Sequence, residues 1–346
     1  MIKQWAFVIR LLLLVIVLIG VFWLLNRLSW LVTLLLISIL IVYTLHPLLD
    51  FIKKRYRVNH GLATILVFLS FILFIVISLS LVIPVVYIEA LELAENFPQY
   101  LIRLQGYITW TSQQVVQLDI ADDVRSILIN ISDNLHQAVE YLAEASISLI
   151  GGTIDFFLIL FLVFYLLHDF ESVKLKILSI VPTAHKAIAK ELINIVDTNV
   201  GVFIRGSIIR CSIVAVITGI ILVIIGMPYA LLLALIAGLF NFILYIGPYI
   251  AAVPALLLSL SPQTPSFLLV AIIYIAVQLF DGMFLAPVVL GRTVKLKPIT
   301  IITAILAGGS LAGLLGMVLA VPIAGIINSI LVLIKQGPAY QGDLNQ

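Results

Sequence analysis

Charge is what this sequence has least of. Asp, Glu, Lys and Arg together make up 10% of its 346 residues, where a soluble domain carries roughly 25%. With 63% hydrophobic residues and a mean hydropathy of +1.25, the composition excludes a water-soluble globular protein. Cysteine is nearly absent: the one thiol, Cys211, lies in an apolar run, can close no intrachain disulfide and says nothing about redox compartment. The signatures of hydrolytic and metal chemistry are missing, with no HExxH, no Walker A loop and no Cys/His set at metal-ligand spacing. Gly308-Gly309-Ser310-Leu311-Ala312 falls one residue short of GxSxG and has no strand before it, which sets aside a serine nucleophile. No enzymatic activity, metal or cofactor is expected. Without a nucleotide site, any work must draw on an ion gradient or on the solute's own gradient. Missing too is the weak alternation, in segments of about ten residues, that marks a transmembrane barrel.

What the chain has instead is long uncharged runs of Leu, Ile and Val. The fold class they imply is all-α, a polytopic helical membrane protein of about eight membrane segments, each needing about 20 apolar residues. Charge distribution then assigns sides. Residues 87–148 hold nine acids (Glu89, Glu92, Glu95, Asp119, Asp122, Asp123, Asp133, Glu140, Glu144) and two bases, Arg103 and Arg125, while the remainder is net basic. Since Lys and Arg accumulate in short cytoplasmic loops, the acidic region belongs outside.

The first run, Ala6 to Leu25, follows Lys3 and resembles a signal peptide, but no small-residue cleavage site precedes Asn26-Arg27. It reads as a retained hairpin with the second run, residues 28–49. Lys53-Lys54-Arg55-Tyr56-Arg57 comes next. A nucleic-acid patch has the same look, but between two spans this loop reads as a cytoplasmic anchor, with no nucleic-acid partner. The N-terminus and residues 50–60 are therefore placed inside. A third span, 61–86, leads to the acidic region. There Ile120, Val124, Ile127, Ile131, Leu135, Ala138, Leu142 and Ala145 recur at steps of three and four, the mark of a long amphipathic helix. Its apolar stripe needs a neighbouring subunit or the upstream helix, so a homo-oligomer is expected. The region reads equally as a helical cap or as a recognition domain. A fourth span, 149–167, returns inside to the basic linker carrying Lys174, Lys176, Lys186, Lys190 and Arg205, and a fifth, 206–225, stops at Gly226-Met227-Pro228.

In the last third Gly and Pro interrupt the apolar runs. Residues 229–260 are too long for one relaxed crossing and are interrupted by Gly247-Pro248, with Pro254 close behind, which reads as a re-entrant helix-break-helix hairpin. Residues 266–290 form the seventh run and end at Gly291-Arg292, with Lys295 and Lys297 beyond. Residues 299–335 then repeat the broken pattern from the opposite side, with the break expected at Gly308-Gly309-Ser310. Ala234-Leu235-Ile236-Ala237-Gly238 aligns with Ala304-Ile305-Leu306-Ala307-Gly308, and Ala252-Val253-Pro254 with Ala320-Val321-Pro322. Such words recur by chance in Ala/Leu-rich sequence. A true repeat would be an inverted one, and paired broken segments point to a transporter's binding site.

Ionisable groups at membrane depth cost about 2.5–3.5 kcal/mol on insertion scales, so each needs a reason. Asp281, in Gln278-Leu279-Phe280-Asp281-Gly282, admits two: a carboxylate that binds a cation, a proton or a polar solute, or a cap for backbone opened by Gly282. Asn241 places an amide near the first break, for solute or for an interhelical hydrogen bond. Arg205 and Arg210 are expected to snorkel to cytoplasmic headgroups, with Asp197 or Asp281 as alternative ion-pair partners. His46 and His168 fall at cytoplasmic ends, and Asp155 at the outer interface.

The residues Gly226-Met-Pro-Tyr-Ala-Leu-Leu-Leu-Ala-Leu-Ile-Ala-Gly238, Asn241, Tyr245-Ile-Gly-Pro248, Pro287-Val-Val-Leu-Gly-Arg292, Leu296-Lys-Pro298, Gly313-Leu-Leu-Gly316 and Ala320-Val-Pro322 resemble the autoinducer-2 exporter family of prokaryotic membrane proteins. The resemblance is strongest over 200–335 and extends weakly over nearly the whole chain. It implies a cytoplasmic-membrane exporter or permease of small polar signals or metabolites, some relatives being sodium or lithium/proton antiporters. The chain departs from the family pattern at Leu244 (commonly Pro), at Lys297 (often His) and at Gly282-Met283 (commonly Asn after the acid).

The sequence therefore divides into a three-span scaffold (1–86), an acidic extracytoplasmic region (87–148), a fourth span with cytoplasmic linker (149–205), a transport domain with two hairpins (206–335) and a polar tail (336–346). The expected solute and ion site comprises Asp281, Asn241, Gln278, Gly247, Pro248, Gly308, Gly309 and Ser310, with lipid, a small polar solute, and Na+ or H+ as partners. The competing reading is a non-transporting scaffold that binds a partner through 87–148; a passive channel differs from a carrier only in kinetics.

Overall fold

The computed structural model describes residues 27–115, 154–261, 264–290 and 296–336. The first apolar run, the amphipathic stripe of 120–145, the basic residues Arg292 and Lys295, and most of the polar tail lie outside these residues. Everything described is helix and connection. In order, α1 is Ser29–Tyr56, α2 His60–Val115, α3 Ile154–Ile180, α4 Lys186–Ile224, α5 Ala230–Phe240, α6 Gly247–Leu258, α7 Phe267–Phe280, α8 Ala286–Leu290 and α9 Pro298–Gln336. A π-helical turn, Asp281–Leu285, joins α7 to α8. Among the described residues, six helical stretches are long and apolar enough to cross a membrane.

The solvent preference of these helices is inverted. Leu62, Leu66, Leu69 and Leu73, at steps of four, three and four on α2, are each more than half exposed. An apolar face of that kind is stable only against lipid or another apolar surface.

The chain divides into two compact units, Met1–Phe68 with Gly152–Ser172, and Leu69–Gly151 with Val173–Gln346. In the first, the Trp30 indole N–H lies 3.1 Å from both Asp155 carboxylate oxygens. At the other end His46 approaches Asp50 and Glu171, and Tyr43 meets Phe170 edge to face. His60 Nε2 lies 2.8 Å from the His168 carbonyl. The histidines thus gather at one end and Asp155 at the other.

In the second unit α4 is the spine. It packs α5 through small residues. A Cβ on Gly238 would press against Ala215 and the Cys211 carbonyl, and one on Gly219 would stand 3.1 Å from the Ala234 Cβ. Helices touch this closely only where side chains are reduced to hydrogen or methyl. The start of α5 is held by α2: the Glu89 carboxylate accepts from the Leu232 N–H at 2.6 Å, satisfying a donor that the first helical turn leaves open.

Both expected hairpins are present, with their breaks displaced. The first breaks over residues 241–246, where Tyr245 adopts a left-handed φ of 65°. Gly247-Pro248 begins α6 instead, Pro being favoured at a first helical turn. In α9 the backbone leaves helical geometry at Ala312 and Gly313, the latter at φ 56°, while Gly308 and Gly309 are helical. Gly308 serves close approach instead. Its Cα faces the Gly316 carbonyl, and Gly316 faces that of Gly308, so the two legs cross backbone to backbone. A break needs a residue free to turn at the tip, and further in from each side the legs need residues with no side chain. The sequence carries glycines for both, and periodicity alone does not separate them. Each leg of the first hairpin, at 1.5 Å per residue, is about 15–18 Å long, roughly half of a 30 Å hydrocarbon core.

Candidate functional site

The tip of the first hairpin is where polarity is buried. At the end of α5 the helix stops, so the Asn241 carbonyl has no helical partner. The Arg210 guanidinium, from within α4, donates to it. The same guanidinium presents Nε to Asp281 Oδ1 at 3.5 Å, and the Asn241 amide lies 3.5 Å from Asp281 Oδ2. Arg210, Asn241 and Asp281 are 3%, 1% and 4% exposed.

Arg210, expected to snorkel, does not. It lies about four turns from the nearer end of α4, and its side chain turns to the hairpin tip. The broken helix explains that inward choice: its free carbonyl end carries partial negative charge, and a cation there is stabilised. Asp197, the alternative partner, is held by Lys174 at 2.6 Å.

Asp281 opens the π turn. Its carbonyl accepts from the Ala286 N–H, five residues on, and such one-turn insertions recur at functional positions because they re-aim a side chain and loosen the ladder. Gly282 keeps the turn slim, with nothing within 4 Å of where its Cβ would stand. Asp281 Oδ1 and Arg210 Nε are buried without a hydrogen-bond partner among the described residues, although they face one another. The pair is neutralised in charge but not saturated in hydrogen bonds, which leaves acceptor and donor capacity for a third party.

The remaining expected residues distribute differently. Gln278 is half-buried one turn before Asp281. The Gly247 N–H bonds the Ile243 carbonyl at 3.0 Å and so is not a free donor; Pro248 has none to offer. Gly308 and Gly309 are contact points between the legs of α9, Gly309 against Met317. Ser310 is exposed and bonds back to Ala307. Arg210 is the residue that sequence reading undervalues; the signal is its place in Ser207-Arg210-Val214-Thr218, whose steps of three, four and four put it on one face with two other polar groups. Glu89 is marked in the sequence only by its charge. Among the described residues no cluster of three His, Cys, Asp or Glu side chains has metal-site geometry.

Helices that expose leucine and hide one carboxylate, one guanidinium and one amide at the tip of a broken hairpin define a multi-pass membrane protein with a polar site inside its apolar body. Comparison with known proteins specifies which. The chain belongs to the AI-2E family transporters, whose family model matches residues 11–336. It is 32% identical over 305 residues to YrrI of Bacillus subtilis, named as a transport protein, covering 86% of this chain and 85% of that one. YueF of the same organism, also named as a transport protein, is 26% identical over 85% of this chain and 81% of its own length. PerM of Escherichia coli, named as a permease, is 23% identical over 78% of each.

Proposed function

We propose that this transporter exports a small polar signal or metabolite through the part formed by 206–335, and that Asp281 is the group at which solute or coupling ion is exchanged. The observation that carries the reading is the unsaturated Arg210–Asp281 pair beside the Asn241 hairpin tip. A structural ion pair in apolar surroundings is stable only when its hydrogen-bonding capacity is filled. This one is held by charge, by the Asn241 carbonyl on Arg210 and by the Asn241 amide on Asp281 Oδ2, with Arg210 Nε and Asp281 Oδ1 unfilled, so a polar solute or a cation can enter without first breaking a complete network. Because Arg210 is shared between Asn241 and Asp281, any ligand that takes the carboxylate also alters the grip on the hairpin tip. That links occupancy to hairpin position, which is what a carrier requires. The two hairpins then act as re-entrant elements from opposite faces, with 1–86 and 87–148 as scaffold, the N-terminus inside, and the whole as a homo-oligomer in the cytoplasmic membrane.

The second reading, a sodium or lithium/proton antiporter, is favoured by the same carboxylate, since a proton and an alkali cation compete for it directly. Purified protein in proteoliposomes with an imposed sodium or proton gradient, followed through internal pH, separates the two. Ion-driven pH change in the wild type that is lost in Asp281→Asn supports the antiporter. Solute efflux that ignores ions yet is lost in Asp281→Asn supports the exporter. Full activity of the mutant removes Asp281 from both. Deleting 100–140 with flux retained excludes the partner-binding scaffold reading.

A further inference from the structure

Helical serine and threonine hydroxyls normally close on a carbonyl of their own helix, and here Ser38, Thr64, Ser259, Thr303, Ser310 and Ser329 all do. Ser207 and Thr218 of α4 do not. Each is at most 1% exposed, and neither hydroxyl has a hydrogen-bond partner among the described residues. The Tyr274 hydroxyl of α7 is in the same state.

These groups are in register with Asp281. Ser207, Arg210, Val214 and Thr218 share one face of α4, and Tyr274, Val277 and Asp281 one face of α7. Arg210 meets Asp281. Val214, Val277 and Leu285 share a cluster. Leu222 and Val270 share another, against which Tyr274 packs. Four residues forward on α4 are thus matched by about four backward on α7, and Thr218 stands at the level of Tyr274, about 10–12 Å from the carboxylate. The seam alternates: the charged pair, a valine layer, a hydroxyl layer, then Leu222 and Val270.

We propose that Thr218 and Tyr274 form a hydroxyl-lined water station through which protons reach Asp281 from the Gly226 end of α4, the valine layer being the barrier between station and carboxylate. The inference rests on Asp281 as the exchange group. A hydroxyl both donates and accepts, so it passes a proton to the next acceptor while taking one from the preceding water and is itself unchanged; the carboxylate gains the proton. Arg210 only donates and cannot serve in this file. Two buried hydroxyls at one level supply partners that a buried water needs, whereas Val214 and Val277 supply none, so the file is interrupted where one moving layer can gate it.

The test is thiol accessibility, which requires neither a known solute nor flux. In a Cys211→Ala background, Thr218→Cys and Leu222→Cys are placed in the full chain in sealed vesicles of either orientation and treated with a charged, impermeant methanethiosulfonate. Only a hydrated thiol forms the reactive thiolate, so the expected result is Thr218→Cys labelling at least about tenfold faster than Leu222→Cys, and from the Gly226 side. Equal rates, or labelling from the opposite side only, overturn the proposal. Should Thr218→Cys fail to fold, Tyr274→Cys is read by the same criterion. A dry Thr218 with ion-coupled flux intact sinks the station alone; a labelled Thr218 with Asp281→Asn fully active leaves the station standing and removes the exchange group.

Discussion

Removing Arg210 and removing Asp281 have different consequences from removing both. Arg210→Met leaves a carboxylate buried without a counter-charge and strips the Asn241 carbonyl of its donor. Breaking a buried pair from one side costs about 3–5 kcal/mol, so a marked fall in thermal stability in detergent is expected. Arg210→Met combined with Asp281→Leu, which replaces charge by apolar volume, recovers most of that loss while flux stays absent. If the double variant is no more stable than Arg210→Met, the pair is not the source of the penalty. Of this arrangement the sequence makes Asp281 and Asn241 legible, because a polar residue inside an apolar run is conspicuous. It conceals Arg210, since an arginine a few residues from a basic linker looks like every other snorkelling arginine. What draws it inward is a free carbonyl created by a break 31 residues later, and no local pattern on α4 announces that.

At the scale of the element, the glycines sort by what their Cβ would meet. Gly308→Ala forces a methyl into the Gly316 carbonyl and Gly316→Ala does the converse; overpacking of this kind costs about 1–3 kcal/mol. Gly282→Ala meets nothing within 4 Å and gains the helix propensity that alanine has over glycine, about 1 kcal/mol. Thermal unfolding of the three variants in one detergent checks the contrast, and equal destabilisation by all three would refute the crossing of the α9 legs. The Glu89 cap follows the same logic. Glu89→Gln keeps an acceptor for Leu232 and loses only the charge at a helix start, about 0.3–1 kcal/mol; Glu89→Ala loses the bond as well, about 0.5–2 kcal/mol, and a reversed order in thermal stability would contradict it. Helix existence is legible throughout, since long Leu/Ile/Val runs admit little else in a bilayer. Break positions are not, because Gly-rich stretches serve turning and close approach alike.

For the whole molecule, sidedness follows from contacts within the second unit. The Asn199 amide lies 3.5 Å from the Ser329 hydroxyl, and Gly325 sits against the same side chain, so the second leg of α9 packs on the first half of α4. Gly308 and Gly316 bring the two legs back together across the Ala312-Gly313 break, so the re-entrant reading proposed above requires both ends of α9 to lie on the face from which α4 starts. Protease sites introduced after Lys297 and after Gln336 should be cut from the same face as one introduced at Thr183, and cleavage from opposite faces would show that α9 crosses. The overall class is legible from composition alone, and the inverted exposure of α2 agrees with it. The distribution into two units is not, since it depends on contacts between helices distant in sequence. The glycine contacts of α4 with α5 also bear on motion. Gly219 and Gly238 leave no slack for one helix to slide on the other, so α4 and α5 are welded into a single lever while the tip beyond Phe240 is left outside it. A lever of this kind delivers displacement at its ends and not at its seam, which puts the pivot of any conformational cycle outside the α4–α5 pair and makes the short connections flanking it the parts that must bend.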